Sequence, residues 1–241
     1  MAKLAPGPPE DHIKATLTNR ISASSVTLNF VKNTPPTGHP IPALSAEALL
    51  EWDGHVESVL RGVAHALNNR AASLSALMAL VVEPDYTPQT TSGMLATEVD
   101  RLHEIVAVVR AVGAPKGDVE AFDPADASRS ARAVLALHAA LRDRAVTINA
   151  AAPPVRAMRW MFVRALIVLA GRAAMADRRA PVTIDLTEQD GWVHATASGS
   201  TAAGRSAYLD QVAVALGGEL LPGSAGFRLP SLATLRQREG R

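Results

Sequence analysis

Two apolar seams with the same helical period, one on each side of a proline-containing break, constrain this chain more than any other feature. In each seam the apolar residues recur at alternating spacings of four and three, which is typical of a helix that packs in a bundle. The break ends the first helix, because Pro84 has no amide hydrogen and biases Glu83 away from the helical conformation. The seam residues are Val56, Leu60, Val63, Leu67, Leu74, Leu77 and Val81 before the break, and Leu95, Val99, Leu102, Val106 and Val109 after it.

The matched seams predict an antiparallel helical hairpin over residues 44–113. We expect Ser45 to cap the first helix, which should run to about Val82, and Ser92 to cap the second. A single hairpin leaves much of its apolar seam in water, whereas two hairpins bury their seams in a four-helix bundle. The sequence therefore predicts a homodimer.

The composition narrows the class of protein. A formal net charge of +1 over 241 residues gives no case for a nucleic-acid partner, and the absence of cysteine excludes thiol chemistry and cysteine-ligated zinc. The most apolar stretch, Met158–Ala176, contains three arginines and is too charged to span a bilayer. We expect a cytoplasmic protein without a membrane partner.

Outside the hairpin the chain divides into three further segments. Residues 1–43 are rich in proline and are expected to form a flexible arm with one short strand over Ser25–Val31. Residues 118–232 are expected to form an α/β domain, and residues 233–241 a tail. The α/β domain is predicted from a helix after Asp123, a strand at Ala145–Ile148, a helix at Met158–Ala176, a hairpin of Val182–Leu186 with Trp192–Thr196, a helix at Tyr208–Leu216, and short strands at Glu219–Leu221 and Gly226–Leu229. The predicted fold class is α+β, an antiparallel helical hairpin followed by an α/β sandwich.

The sequence His65-Ala66-Leu67-Asn68-Asn69 in the first helix resembles the phosphoacceptor motif of the histidine kinases. In that family a helical hairpin dimerises into a four-helix bundle and carries the phosphorylated histidine on its outer face. His65 lies two residues after Val63 and two before Leu67, so it falls off the seam and should face solvent. The resemblance implies that His65 is a phosphoacceptor; the alternative is an ordinary solvated histidine.

The second half resembles the ATP-binding domain of the same family, which has the Bergerat fold. The match is carried by Gly217-Gly218-Glu219-Leu220 with Phe227-Arg228-Leu229-Pro230, and by the apolar pattern of Leu166–Ala176. Both motifs stand in the family's order after the hairpin. The resemblance implies a degenerate domain of this fold.

The nucleotide-binding residues of the family do not carry over to this chain. Val168 and Arg172 stand where the family has two asparagines, and arginine cannot ligate magnesium because it only donates hydrogen bonds. Ala197-Ser198-Gly199 replaces the family's Asp-x-Gly, and only residues 200–203 remain where the family has a long lid. We therefore expect no ATP binding, no cofactor and no metal site in this chain.

The phosphoacceptor motif also departs from the family. Ala66 replaces the acidic residue that usually follows the histidine, and Arg70 replaces a proline. Asn69 matches the polar residue found four places after the histidine, and one helical turn places it on the His65 face. There its amide can hydrogen-bond a phosphoryl oxygen or a water.

These features resemble the ChpT-type histidine phosphotransferases, which keep the kinase architecture and lose ATP binding. The resemblance implies a phosphorelay in which His65 exchanges a phosphoryl group with the aspartate of a response-regulator receiver domain, which supplies Mg²⁺. An upstream hybrid kinase is a further expected partner. The receiver is expected to dock on Arg61, Asn68 and Ala72, about one turn from His65.

Two other functions remain open at the level of sequence. The missing acid at Ala66 favours an inactive kinase-like scaffold that binds a receiver and transfers nothing. Asn69 allows a receiver phosphatase, in which its amide positions a water. The other six histidines show no metal-ligand spacing and are expected to be solvated or structural: His12, His39, His55, His103, His138 and His194.

Overall fold

The computed structural model of the chain describes residues 43–80, 88–113, 117–198, 205–222 and 226–239. The predictions of a flexible arm with a strand at Ser25–Val31 and of a shortened lid at 200–203 lie outside these ranges. No helix within them is long and apolar enough to cross a membrane.

Two long helices, α1 (Ala46–Leu80) and α2 (Pro88–Gly113), pack against each other as the predicted hairpin. The Ser45 hydroxyl lies 3.3 Å from the amide nitrogen of Ala48 and accepts its hydrogen bond, as expected of a cap. The prediction that α2 starts after Ser92 is wrong, because the helix begins at Pro88. Proline suits a first helical turn, where its missing N–H has no intrahelical partner to lose.

The α/β domain contains a mixed five-stranded sheet in the order β2-β4-β5-β7-β6, in which only β2 and β4 run parallel. A separate antiparallel pair, β1-β3, lies beside it. In chain order the elements are β1 (Val119–Phe122), α3 (Pro124–Leu135), a 3-10 helix (Ala139–Leu141), β2 (Val146–Ala150), β3 (Val155–Met158), α4 (Arg159–Ala176), β4 (Val182–Gln189), β5 (Trp192–Ala197), α5 (Ala207–Ala215), β6 (Glu219–Leu220), β7 (Phe227–Pro230) and α6 (Leu232–Glu239). This arrangement confirms the predicted α+β class.

The core of the domain lies between α4 and one face of the sheet. Nearly every residue of α4 from Met161 to Ala174 is buried, as its apolar sequence predicts. The strands β4 and β5 alternate buried and half-buried residues, so one face of the sheet packs against the helices. The hairpin predicted there is confirmed, and its two turn residues, Asp190 and Gly191, have φ of 52° and 77°.

Four of the described elements were not predicted from the sequence, the 3-10 helix at Ala139–Leu141 among them. The strands β1 and β3 have four residues each, too few for a clear alternation pattern. The helix α6 occupies most of the segment predicted as a tail. It is tied to the β4-β5 turn, because the Thr234 hydroxyl donates to the Gly191 carbonyl oxygen at 2.8 Å.

The first half of α1 packs on the α/β domain, which the seam analysis did not predict. Apart from Leu77, the buried residues of α1 all lie between positions 48 and 63: Ala48, Trp52, His55, Val59, Gly62 and Val63. Helix α1 contacts α4, α5 and the 3-10 helix there. The hairpin and the α/β domain therefore share one continuous core.

Candidate functional site

His65 lies on an exposed face of α1, as predicted from its position off the seam. Asn69, one turn further along the helix, is also exposed, and its amide nitrogen lies 3.1 Å from His65 Nε2. The structure thus brings together the two residues to which the sequence assigned the chemistry.

This contact favours one tautomer of the neutral imidazole, because the amide turns its nitrogen towards Nε2. An amide nitrogen only donates hydrogen bonds, so Nε2 of His65 accepts and the ring proton of the neutral imidazole sits on Nδ1. In this tautomer the in-plane lone pair of Nε2 accepts the Asn69 hydrogen bond, and it becomes available to another group when the amide moves aside. A neutral nitrogen with a lone pair on an exposed helix face is a competent nucleophile.

The three predicted docking residues are exposed on the same side of α1. Asn68 and Ala72 have exposed side chains. Arg61 lies one turn before His65, and its guanidinium pairs with Glu57 at 2.6 Å. Because both side chains of this pair are well exposed, it contributes little to stability, and the guanidinium can exchange partners at small cost.

Arg70 holds the two helices of the hairpin together. It stands where the histidine-kinase motif that the sequence resembles has a proline. Its Nη1 lies 3.1 Å from both carboxylate oxygens of Glu98 on α2, and Arg101 donates to the same carboxylate at 2.8 Å. The Glu98 side chain is only 8% exposed, so two cations share a nearly buried anion. Burial alone would raise the pKa of Glu98, but the hydrogen bonds and charges of the two arginines hold it below its usual value. This tie fixes α1 against α2 one residue after Asn69.

A loop of the α/β domain touches α1 one turn before His65. A Cβ atom added at Gly62 would lie 1.6 Å from the carbonyl oxygen of Leu137, so only glycine permits this approach. Since each residue advances a helix by about 1.5 Å, His65 lies only about 4.5 Å further along the axis. The turn that follows α3 therefore lies near the level of His65 along α1.

Two buried histidines fasten this loop to α1. His55 Nδ1 lies 3.3 Å from Nε2 of His138, and the Ser58 hydroxyl lies 3.3 Å from the other ring nitrogen of His138. Burial, with a smaller effect of His55, lowers the pKa of His138 to about 4, and burial also lowers the pKa of His55. Both rings are therefore neutral at pH 7, as a structural role requires.

Near the start of α1, aromatic and cationic side chains fill the contact with the α/β domain. The rings of Trp52 and Tyr208 stack with centroids 5.6 Å apart, and the Arg164 guanidinium lies 4.5 Å from the Trp52 ring centroid. Arg164 also donates to the Val112 carbonyl oxygen at 2.9 Å, which joins α4 to the end of α2. Burial raises the pKa of Tyr208 to about 12, so its hydroxyl stays protonated.

Val168 and Arg172 stand at the positions where the histidine kinases have two asparagines, and both have other roles in this chain. Val168 is fully buried in the core. Arg172 pairs with Glu51 of α1 at 2.8 Å and donates to the Arg205 carbonyl oxygen at 3.0 Å. Within the described residues, no group of three or more His, Asp and Glu is placed to hold a metal ion.

Sequence reasoning missed Glu51, His55, Ser58 and Glu98 as partners of the site. The contact between α1 and the α/β domain did leave a signal in the sequence. Four residues of α1 repeat there at spacings of four, three and four: Ala48, Trp52, His55 and Val59. This second seam begins earlier than the first and faces a different neighbour. The partners of these residues lie far along the chain, where no local pattern indicates them.

No protein-family model matches the chain, and no curated protein matches it significantly. Among solved structures, it is similar to a bacterial phosphotransferase, with 13% identity, a TM-score of 0.35, and 65% of this chain and 71% of the other covered. It is similar to the histidine kinase AdeS of Acinetobacter baumannii, with 12% identity, a TM-score of 0.36, and 70% and 98% covered. A histidine kinase from Burkholderia phymatum shows 17% identity, a TM-score of 0.34, and 70% and 96% covered.

The similarities are distant in both identity and TM-score. The assignment of a function therefore rests on the geometry around His65.

Proposed function

We propose that this chain is a histidine phosphotransferase that passes phosphoryl groups to or from the aspartate of a response-regulator receiver domain, without binding ATP. The observation that carries the proposal is the exposed His65, whose Nε2 accepts a hydrogen bond from the exposed Asn69 and therefore carries no proton in this arrangement. A histidine needed only for packing would be buried, as His55 and His138 are.

The transfer step needs little from this chain. The Nε2 lone pair of His65 attacks the phosphorus of a receiver phospho-aspartate, a nitrogen–phosphorus bond forms, and the phosphorus–oxygen bond to the aspartyl carboxylate breaks. The products are phosphohistidine and a free carboxylate, and the reverse reaction regenerates the phospho-aspartate. The attacking nitrogen carries no proton in this tautomer, so a base is not required to remove one. The receiver holds the Mg²⁺ that neutralises charge on the phosphoryl oxygens.

Asn69 and Arg61 have supporting parts in this step. As Nε2 becomes bonded to phosphorus, the Asn69 amide loses its acceptor and is placed one turn away to donate to a phosphoryl oxygen instead. The Arg61 guanidinium can leave its exposed partner Glu57 and add positive charge. Asn68 and Ala72 form the surrounding contact surface for the receiver.

The absence of ATP binding is proposed from the residues at the corresponding place in the α/β domain. Val168 lies in the core, and the Arg172 side chain is engaged by Glu51 at 2.8 Å. Neither residue can coordinate a magnesium–nucleotide complex there. The phosphoryl group must then come from another phosphoprotein, such as an upstream hybrid kinase, in the cytoplasm.

A homodimer is proposed from the exposed seam of the hairpin. Six of its apolar side chains are 36% to 48% exposed in the single chain: Leu60, Leu67, Leu95, Val99, Val106 and Val109. An apolar stripe that the single chain leaves exposed along both helices fits a second copy of the same hairpin. Pairing would leave His65 uncovered, because it lies off this stripe.

A receiver phosphatase is the second candidate, and one observation favours it. The amide of Asn69 can orient a water as readily as a phosphoryl oxygen, while Ala66 supplies no acid beside His65. The third possibility, a scaffold without chemistry, needs no role for either residue.

One incubation separates the three functions. The chain is mixed with a receiver labelled on its aspartate, and the label is followed in both proteins. Acid-labile, base-stable label on this chain supports the phosphotransferase. Release as free phosphate without such label supports the phosphatase, and label that stays on the receiver supports the scaffold.

A further inference from the structure

Three groups of the α/β domain converge on one carboxylate of α1. They are the Arg172 guanidinium from α4, the Ser206 hydroxyl and the backbone N–H of Tyr208 at the start of α5, which together we call the carboxylate cradle. Arg172 Nη1 and Ser206 Oγ each lie 2.8 Å from Oε1 of Glu51, and the Tyr208 nitrogen lies 3.0 Å from Oε2. Both oxygens of Glu51 are therefore bound, Oε1 by α4 and the start of α5 and Oε2 by the start of α5 alone.

The cradle is shielded from water and suited to a negative charge. The side chains of Arg172 and Glu51 are 11% and 16% exposed, unlike the open pair of Arg61 with Glu57. Ser206 caps α5 by accepting from the Leu209 N–H at 3.0 Å, so its hydroxyl oxygen is held while its proton points to Glu51. The positive end of the helix dipole adds to this preference for an anion.

The protonation of Glu51 agrees with this binding. Burial alone would raise the pKa of the carboxyl, but the hydrogen bonds from Tyr208, Ser206 and Arg172 together lower it below the usual value. The carboxylate is therefore charged at neutral pH.

We infer that the carboxylate cradle is an anion-binding site of the α/β domain, that its ligand is Glu51 of the same chain, and that its occupancy fixes the hairpin to the domain. The inference is independent of phosphoryl transfer and would stand if His65 carried no phosphoryl group. Two neighbouring contacts depend on it. The first is the Trp52–Tyr208 stack, since Trp52 follows Glu51 in α1 and Tyr208 binds the carboxylate from α5. The second is the contact of His55, one helical turn after Glu51, with His138.

The test uses the full chain and amide hydrogen exchange along α1. In Glu51→Ala the amides over residues 46–59 should exchange at least about tenfold faster, because a buried cation loses its partner and the helix end loses its contact. The matched control is Glu57→Ala, which removes an exposed carboxylate from the same helix and should change exchange there less than about twofold.

Chemical rescue then tests the site itself. Acetate, a small carboxylate, should restore protection over 46–59 in Glu51→Ala, whereas chloride at the same ionic strength should not. Arg172→Met should lose the same protection and should not respond to acetate, since the cradle has lost its cation. Unchanged protection in Glu51→Ala, or equal effects of acetate and chloride, would overturn the inference.

If Glu51→Ala does not fold, Glu51→Gln takes its place in the exchange experiment. Glutamine keeps one acceptor oxygen, for the Tyr208 N–H, and replaces the charged oxygen that Arg172 and Ser206 bind with an NH₂ that only donates. Its amides over 46–59 should exchange faster than those of the unmodified chain. Wild-type protection in this variant would show that the charge of Glu51 does not hold the two parts together.

Discussion

The amide nitrogen of Asn69 lies 3.1 Å from Nε2 of His65, the atom that would take the phosphoryl group. With no acid at Ala66, this amide is the contact that the structure gives to the imidazole, and it selects the tautomer with the proton on Nδ1.

Asn69→Ala is therefore expected to slow transfer without abolishing it. The loss of one hydrogen bond of about 1 kcal/mol predicts a rate about three- to tenfold lower. In the ¹⁵N spectrum of the ring, the variant should show a mixture of tautomers where the unmodified chain shows the Nδ1–H form. Asn68→Ala, the matched control on the same face, should leave the tautomer unchanged. An unaltered spectrum in Asn69→Ala would contradict the role of this amide.

The buried pair His55 and His138 predicts a loss of stability in mild acid. The pKa of His138 is about 4 in the folded chain, whereas an unfolded histidine has a pKa of about 6.5. Below pH 6.5 the His138 imidazole binds a proton in the unfolded state but stays neutral in the folded state. The free energy of unfolding therefore falls as the pH drops towards 4. His138 alone should account for about 2 kcal/mol between pH 7.5 and pH 5.

Urea unfolding at the two pH values measures this effect. The lowered pKa of His55 acts in the same direction, while the lowered pKa of Glu51 removes stability only below about pH 4.5. His138→Gln should flatten the pH dependence, whereas substitution of the exposed His103 should not. Equal stability of the unmodified chain at both pH values would show that the two rings are not held neutral.

The exposed seam predicts that a charge placed in it separates the dimer. Leu67→Glu or Leu102→Glu would bury a carboxylate between hairpins at a cost of several kcal/mol. Light scattering should report a dimer for the unmodified chain and a monomer for either variant. Leu50→Glu is the control, because Leu50 is 71% exposed and lies off the seam. A stable monomer in the unmodified chain would contradict the four-helix bundle.

The close approach at Gly62 predicts opposite effects for two glycines of α1. Gly62→Ala would place a methyl group against the Leu137 carbonyl, so α1 must move, and the free energy of unfolding should fall by about 2 kcal/mol or more. Gly54→Ala meets nothing within 4 Å and should gain about 0.5 to 1 kcal/mol from helix propensity. Denaturant unfolding of the two variants gives both values. A neutral Gly62→Ala would mean that α1 does not contact the loop.

The hairpin and the exposure of His65 could be predicted because both depend on local periodicity. A four-and-three repeat determines which side of a helix is apolar, and a residue off that side faces solvent unless another element covers it. The same reasoning placed α4 and the start of each strand of the β4-β5 hairpin within one or two residues. It failed at the start of α2, where the capping preference of Ser92 yielded to Pro88 in the first turn.

The contacts around the site could not be predicted in the same way. Glu51 meets Arg172 and His55 meets His138 across long stretches of sequence, and such pairs depend on how the domain folds back onto α1. Charge and period indicate that a residue needs a partner but not which partner it finds. The second seam from Ala48 to Val59 was the one local sign that α1 has two different neighbours.

Label transfer from a phosphorylated receiver shows whether His65 carries the phosphoryl group. His65→Ala should abolish the acid-labile label on this chain while the fold and the dimer persist, because an exposed side chain costs well under ~1 kcal/mol to remove. His103→Ala, which removes an exposed histidine of α2, should be labelled as the unmodified chain is. Undiminished label on His65→Ala would contradict the account.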